Sequence, residues 1–132
     1  MLEPAQYDGV VFWDVNAGET EEILNSFHPR LKVVPFDHRL HRASDSELIK
    51  FFEREARDKY PNSKVFVVTH DRGFERETGF RPLESPIAII KIPSPSLGPS
   101  LFKYAIESLK MILLPILNAP RSVKVRGVVE IE

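Results

Sequence analysis

Short apolar runs alternate along this chain with segments of helical spacing, and turn residues separate the two. Val10-Val11-Phe12-Trp13 is β-branched and aromatic, follows Asp8-Gly9 and ends on Asp14, the pattern of a buried strand. Residues 19–27 keep Ile23, Leu24 and Phe27 on one helical face before Pro29 closes the segment. Residues 31–36 read as a second strand, and the polar residues 37–43 as a loop. Ser44-Asp45-Ser46-Glu47 has the Ser-x-x-Glu order of a capping box, in which a serine hydroxyl and a glutamate satisfy backbone N–H groups that no helical turn reaches. Leu48, Ile49, Phe51, Phe52 and Ala56 then keep helical spacing up to Pro61.

Lys64-Val65-Phe66-Val67-Val68-Thr69 is a third strand, apolar on both faces, with Asp71 two residues beyond it. Residues 87–92, bounded by Pro86 and Pro93, read as a fourth. The Pro/Ser segment 93–100 breaks the chain before a long amphipathic helix carrying Phe102, Ala105, Ile106, Leu109 and Ile112. In the tail, residues 122–132, Val123, Val125, Val129 and Ile131 alternate with Lys124, Arg126 and Glu130, which predicts a half-exposed strand at an edge or one exchanged with a second subunit.

Strands that are apolar on both faces and alternate with helices predict an α/β fold. The expected form is a three-layer sandwich with a central, mainly parallel sheet of four to five strands and right-handed crossovers. In such sheets ligands bind beyond the carboxyl ends of the strands, near the point where strand order reverses. Asp14 and Asp71 both fall at carboxyl ends.

Composition narrows the chemistry. With 132 residues the chain has the size of one domain, so residues 1–132 are expected to fold as a unit. It has no cysteine, which removes disulfides, cysteine-zinc sites and thiol nucleophiles. No run reaches the roughly 20 apolar residues of a membrane span, and Met1-Leu2-Glu3-Pro4 lacks the order of a signal peptide. The expectation is a cytoplasmic chain without a membrane partner. Charges nearly balance at a net -1, so affinity for nucleic acid must come from a local patch.

Each acid taken singly has an ordinary role. Asp14 can open an Asx-turn with Asn16 and Gly18, Asp45 can complement the dipole of its helix, and Asp71 can serve a turn. Two acids ending strands and one opening a helix nevertheless converge on one rim of the sheet, where they repel unless a cation joins them. Hard cations such as Mg²⁺ take oxygen ligands, and they activate water and stabilise phosphodiester displacement. The cationic loop Asp37-His38-Arg39-Leu40-His41-Arg42 precedes Asp45, so Arg39 and Arg42, with Arg72, are candidates for meeting a phosphate backbone, and Asn16 for a contact beside Asp14.

The pieces Val10-Val11-Phe12-Trp13-Asp14-Val15-Asn16, Ala43-Ser44-Asp45-Ser46-Glu47-Leu48-Ile49 and Val67-Val68-Thr69-His70-Asp71-Arg72-Gly73-Phe74 resemble, in order and spacing, the PIN-like domain superfamily, in particular its short branch related to the Mut7-C domain. The resemblance covers about residues 10–92. It implies a doubly wound α/β fold and an Mg²⁺- or Mn²⁺-dependent endoribonuclease in which Asp14, Asp45 and Asp71 are metal ligands and catalytic acids. It also implies single-stranded RNA as substrate and an antitoxin protein as a partner if the chain is a toxin-antitoxin component. A homodimer is expected from the apolar C-terminal helix. Two departures from the family pattern stand out. The usual helix Glu has only Glu21 or Glu22 as positional candidates, and Gly73 stands where an Asp is common. The alternatives are a catalytically incomplete PIN-like module that binds RNA or a protein, and a nuclease acting on DNA.

Overall fold

The computed structural model describes residues 7–14, 27–35, 43–70, 87–93, 98–120 and 127–130, except for the side chains of Asp45 and residues 127–130. The elements are β1 (Gly9–Asp14), β2 (Leu31–Val34), α1 (Asp45–Lys59), β3 (Lys64–Thr69), β4 (Ile87–Lys91), α2 (Pro99–Leu117) and β5 (Gly127–Glu130). The expected helix over 19–27 lies outside the described residues apart from Phe27.

All five strands join one parallel sheet in the order β2-β1-β3-β4-β5. Every residue of β1 and β3 is buried, as central strands covered on both faces require. β2 alternates buried and half-buried residues at one edge, and β5 forms the other edge. β2 stops at Val34 rather than running to Phe36, because Pro35 has no N–H to give the ladder. β4 stops at Lys91, although Ile92 N–H still donates to the Thr69 carbonyl at 2.9 Å.

Pleating divides the strand side chains into two cores. Val10, Phe12, Val65, Val67, Ile87 and Ile89 pack with Leu48, Ile49, Phe52, Ala56 and Tyr60 of the α1 region. Val11, Trp13, Phe66, Val68, Ala88 and Ile90 pack with Phe102, Ala105, Ile106, Leu109, Leu113 and Leu117 of α2. The two helices therefore cover opposite faces of an α/β sheet. Ser44 caps α1 as its sequence predicts, with Glu47 N–H donating to Ser44 Oγ at 3.2 Å, while the Glu47 carboxylate accepts from the Ser44 hydroxyl at 3.1 Å rather than from its backbone N–H. No described helix is long and apolar enough to cross a membrane.

One expectation needs correction. The connections β2→β3 and β4→β5 advance in the same direction across the sheet, yet α1 and α2 lie on opposite faces. The two connections must then have opposite hands, and they cannot both be right-handed. The right-hand preference belongs to a helix that packs back on the strands it joins. α2 packs on β4 through Ala88 and Ile90 but also extends past the strands it joins: its Leu117 lies against Gly9 and its neighbour Leu31, and Lys64 Nζ donates to the Ala119 carbonyl at 3.2 Å. The helix thus reaches across to the starts of β1 and β3. Lys64, 2% exposed, places its charge where the negative end of the α2 dipole and its last carbonyls favour a cation.

Candidate functional site

The order 2-1-3-4-5 reverses between β1 and β3, since the chain passes from β1 outward to β2 and returns across β1 to β3. Such a reversal opens a crevice at the carboxyl ends of those two strands. Asp14 ends β1 and Thr69 ends β3, and the two are register partners. Thr69 Oγ1 donates to Asp14 Oδ2 at 2.8 Å and lies 3.4 Å from the His70 carbonyl. Asp14 is 7% exposed and Thr69 fully buried, so this is a carboxylate withdrawn from water and oriented by a hydroxyl. A buried carboxylate is costly unless hydrogen bonds or a cation compensate it. Its position at the switch point is the strongest chemical signal in the described molecule.

Pleating assigns the polar groups to one side. Asp14 follows Phe12 and Val10, Thr69 follows Val67 and Val65, and Lys91 follows Ile89 and Ile87, all in the core beneath α1. Register continues the row, pairing Thr69 with Lys91 and Lys91 with Glu130. On the opposite face at the same height stand Trp13, Val68 and Ile90, all apolar packing for α2. Among the described strand-end residues the ionisable groups therefore lie on the α1 side.

α1 brings a further acid to that side. Phe12 packs between Phe52 at 5.1 Å and Tyr60 at 6.2 Å between ring centroids, which sets Ala56 level with Phe12. Glu53 lies three residues nearer the helix N-terminus, about 4.5 Å along the axis. Asp14 lies two residues beyond Phe12 in the same direction, about 6.6 Å along the strand. Glu53 is 5% exposed, and helix side chains lean toward the N-terminus, so its carboxyl group is carried toward the level of the Asp14 row. Sequence reasoning passed over Glu53 within the run Phe51-Phe52-Glu53-Arg54-Glu55. The available signal was its spacing, four residues after Ile49 and three before Ala56, which places it on the apolar face.

Of the acids expected to meet here, Asp14 is where the sequence put it. Asp45 opens α1, whose N-terminus points to the same end of the sheet, but its side chain is not described. Asp71, Asn16, Arg39, Arg42 and Arg72 lie outside the described residues, as do Glu21, Glu22 and Gly73. Among the described residues no three His, Asp or Glu side chains gather as a metal-holding group. Comparison of the chain with family models, with curated proteins and with solved structures found no match, so the site is read from its own chemistry.

Proposed function

We propose that this chain is a divalent-metal-dependent endoribonuclease of PIN-like, three-layer fold, hydrolysing phosphodiester bonds of single-stranded RNA at the carboxyl rim of its sheet. The observation that carries the reading is the buried Asp14 carboxylate, oriented by Thr69 Oγ1 at the β1/β3 switch point. An oxygen donor of this kind suits Mg²⁺ or Mn²⁺, and a chain without cysteine offers no thiolate to compete for a softer ion. Asp45 at the start of α1 and Asp71, two residues past Thr69, are the further ligands in this reading. Glu53 joins Glu21 and Glu22 as a candidate helix acid.

When bound, the ion supplies an activated water and stabilises the charge that develops on the scissile phosphate. The protein's own part is positional. Thr69 fixes the carboxylate of Asp14 so that its ligating lone pairs do not depend on a mobile side chain, and packing of Phe12 between Phe52 and Tyr60 holds the strand end rigid. The α1 N-terminus adds partial positive charge at the same end, favourable to a phosphate.

The test is cleavage of a labelled single-stranded RNA. Cutting should appear with Mg²⁺ or Mn²⁺, stop with chelator, and stop in Asp14→Asn. That variant keeps an oxygen for the Thr69 hydroxyl while removing the charge that holds the ion. Added Mg²⁺ should also raise the unfolding temperature of the wild type and leave that of Asp14→Asn unchanged. A wild type that binds RNA but cuts under no divalent metal removes the enzyme and leaves a binding module.

A further inference from the structure

We propose that Lys91 binds a backbone phosphate of the RNA beside Asp14, making it a substrate-contacting residue of the rim. The inference rests on the nucleic-acid reading above, and its test separates binding from cutting.

Lys91 is the last residue of β4 and half-buried, and it follows Ile87 and Ile89 on the α1-facing side. Asp14, Thr69 and Lys91 are successive register partners across β1, β3 and β4, so their side chains leave the sheet on one face in one row. Two strand spacings separate the Asp14 and Lys91 backbones by about 9.6 Å. A phosphate over Thr69 would lie between the carboxylate of Asp14, which would hold the cation, and the lysine at the other end of the row. Lys91 is the last paired residue of β4, with only the Ile92 N–H bond to Thr69 beyond it, so it stands at the carboxyl rim of the sheet. Its ammonium is a strongly hydrated point charge on a flexible stem, suited to a phosphate oxygen that needs no fixed fork of donors.

Charge argues for the same residue. With a net charge of -1 the chain as a whole does not attract RNA, and any attraction must be built locally. Among the described residues Lys91 is the only lysine or arginine that ends a strand at its carboxyl side. The competing role for it is structural. Glu130 is its register partner on β5, and a lysine serving that acid alone would have no part in binding.

The experiment measures binding of a single-stranded RNA of about ten nucleotides by fluorescence anisotropy across a salt series, with and without Mg²⁺, for wild type, Lys91→Met, Lys91→Arg and Glu130→Gln. Loss of one phosphate contact lowers the slope of log K against log salt by about 0.7 for a single strand. Lys91→Met should show that change and a Kd raised about tenfold at low salt, where each tenfold corresponds to about 1.4 kcal/mol. Lys91→Arg should restore both, and Glu130→Gln should match the wild type. Lys91→Gln replaces the methionine variant if that one fails to fold, as judged by its urea midpoint. Wild-type Kd and slope in Lys91→Met, the same loss in Glu130→Gln, or no RNA binding by the wild type overturns the inference. Lys91-dependent binding without cleavage upholds it and removes the nuclease reading, whereas cleavage with Lys91→Met unaltered does the reverse.

Discussion

The placement of α2 over the starts of β1 and β3 is the least ordinary feature of the fold, and Gly9 offers a direct probe of it. A methyl group added at Gly9 would lie 2.5 Å from Leu117 Cδ2, 3.2 Å from Leu31 Cδ1 and 3.6 Å from Phe66 Cε2. Carbon atoms rest about 3.5 to 4.0 Å apart, so Leu117 must retreat by roughly 1 Å. Leu117 is 3% exposed and has little free space to enter. Overpacking of this kind costs about 1 to 3 kcal/mol. Replacing glycine also restricts the unfolded chain, which returns about 0.4 to 1 kcal/mol. Gly9→Ala should therefore destabilise by up to about 2.6 kcal/mol net. Leu117→Ala alone should cost about 2 to 5 kcal/mol through the cavity it leaves. In the double variant the new methyl occupies part of that cavity, so the combined loss should fall short of the sum by about 1 to 2 kcal/mol. Urea unfolding followed by the fluorescence of Trp13, the single tryptophan and itself buried, measures all four corners of the cycle. Additive losses, or a stabilised Gly9→Ala, would refute the contact and with it the reach of α2 across the sheet.

Three further outcomes follow from named contacts. Thr69→Val removes the hydroxyl that donates to Asp14 and should cost about 1.5 to 3 kcal/mol, as for a hydrogen bond to a charged group. In an Asp14→Ala background urea midpoints should show that cost shrinking below about 0.5 kcal/mol, and an unchanged cost would mean the bond contributes nothing. Burial raises the pKa of the Tyr60 phenol above its ordinary 10.0, so its contribution to stability is complete below pH 10 and is lost as pH rises through the folded-state value. Tyr60→Phe keeps the ring against Phe12, so its unfolding midpoint should fall less between pH 8 and pH 11 than that of the wild type; equal falls would contradict the shift. Ser44→Ala removes the acceptor for Glu47 N–H and should cost about 0.5 to 2 kcal/mol in thermal unfolding, whereas an unmoved midpoint would mean the cap is idle.

What could be read beforehand was whatever local pattern encodes. Val10 to Trp13 and Val65 to Val68 announce buried strands because a two-sided apolar run has no other use in a chain of this length, and Ser44 with Glu47 announces a helix start through bonds between residues three apart. Spatial order is different. Nothing in the local pattern of Leu31-Lys32-Val33-Val34 says that it pairs with β1 at an edge, or that the long segment from Ile92 to β5 carries its helix to the far face and over β1. Those choices are made by contacts between residues far apart in sequence, such as Lys64 with Ala119 and Gly9 with Leu117.

The candidate site divides along the same line. Asp14 was legible because a strand end is a local event, and an acid there is exposed to the switch point whichever strand lies beside it. Thr69 was legible only as a strand residue, since its meaning comes from register: Asp14 and Thr69 are 55 residues apart and meet because β1 and β3 pair in parallel. Glu53 and Lys91 were hidden for complementary reasons. A glutamate in a charged helical run usually faces solvent, and a lysine after four apolar strand residues usually marks the strand's exit to water. Both turn inward here because the phase of α1, set by Phe52 and Tyr60 on Phe12, and the register of β4, set by Ile89 opposite Val67, bring them to the face that Asp14 shares. A residue's chemistry was visible in the sequence wherever its element alone fixed its direction, and became visible only in three dimensions wherever a second element had to fix it.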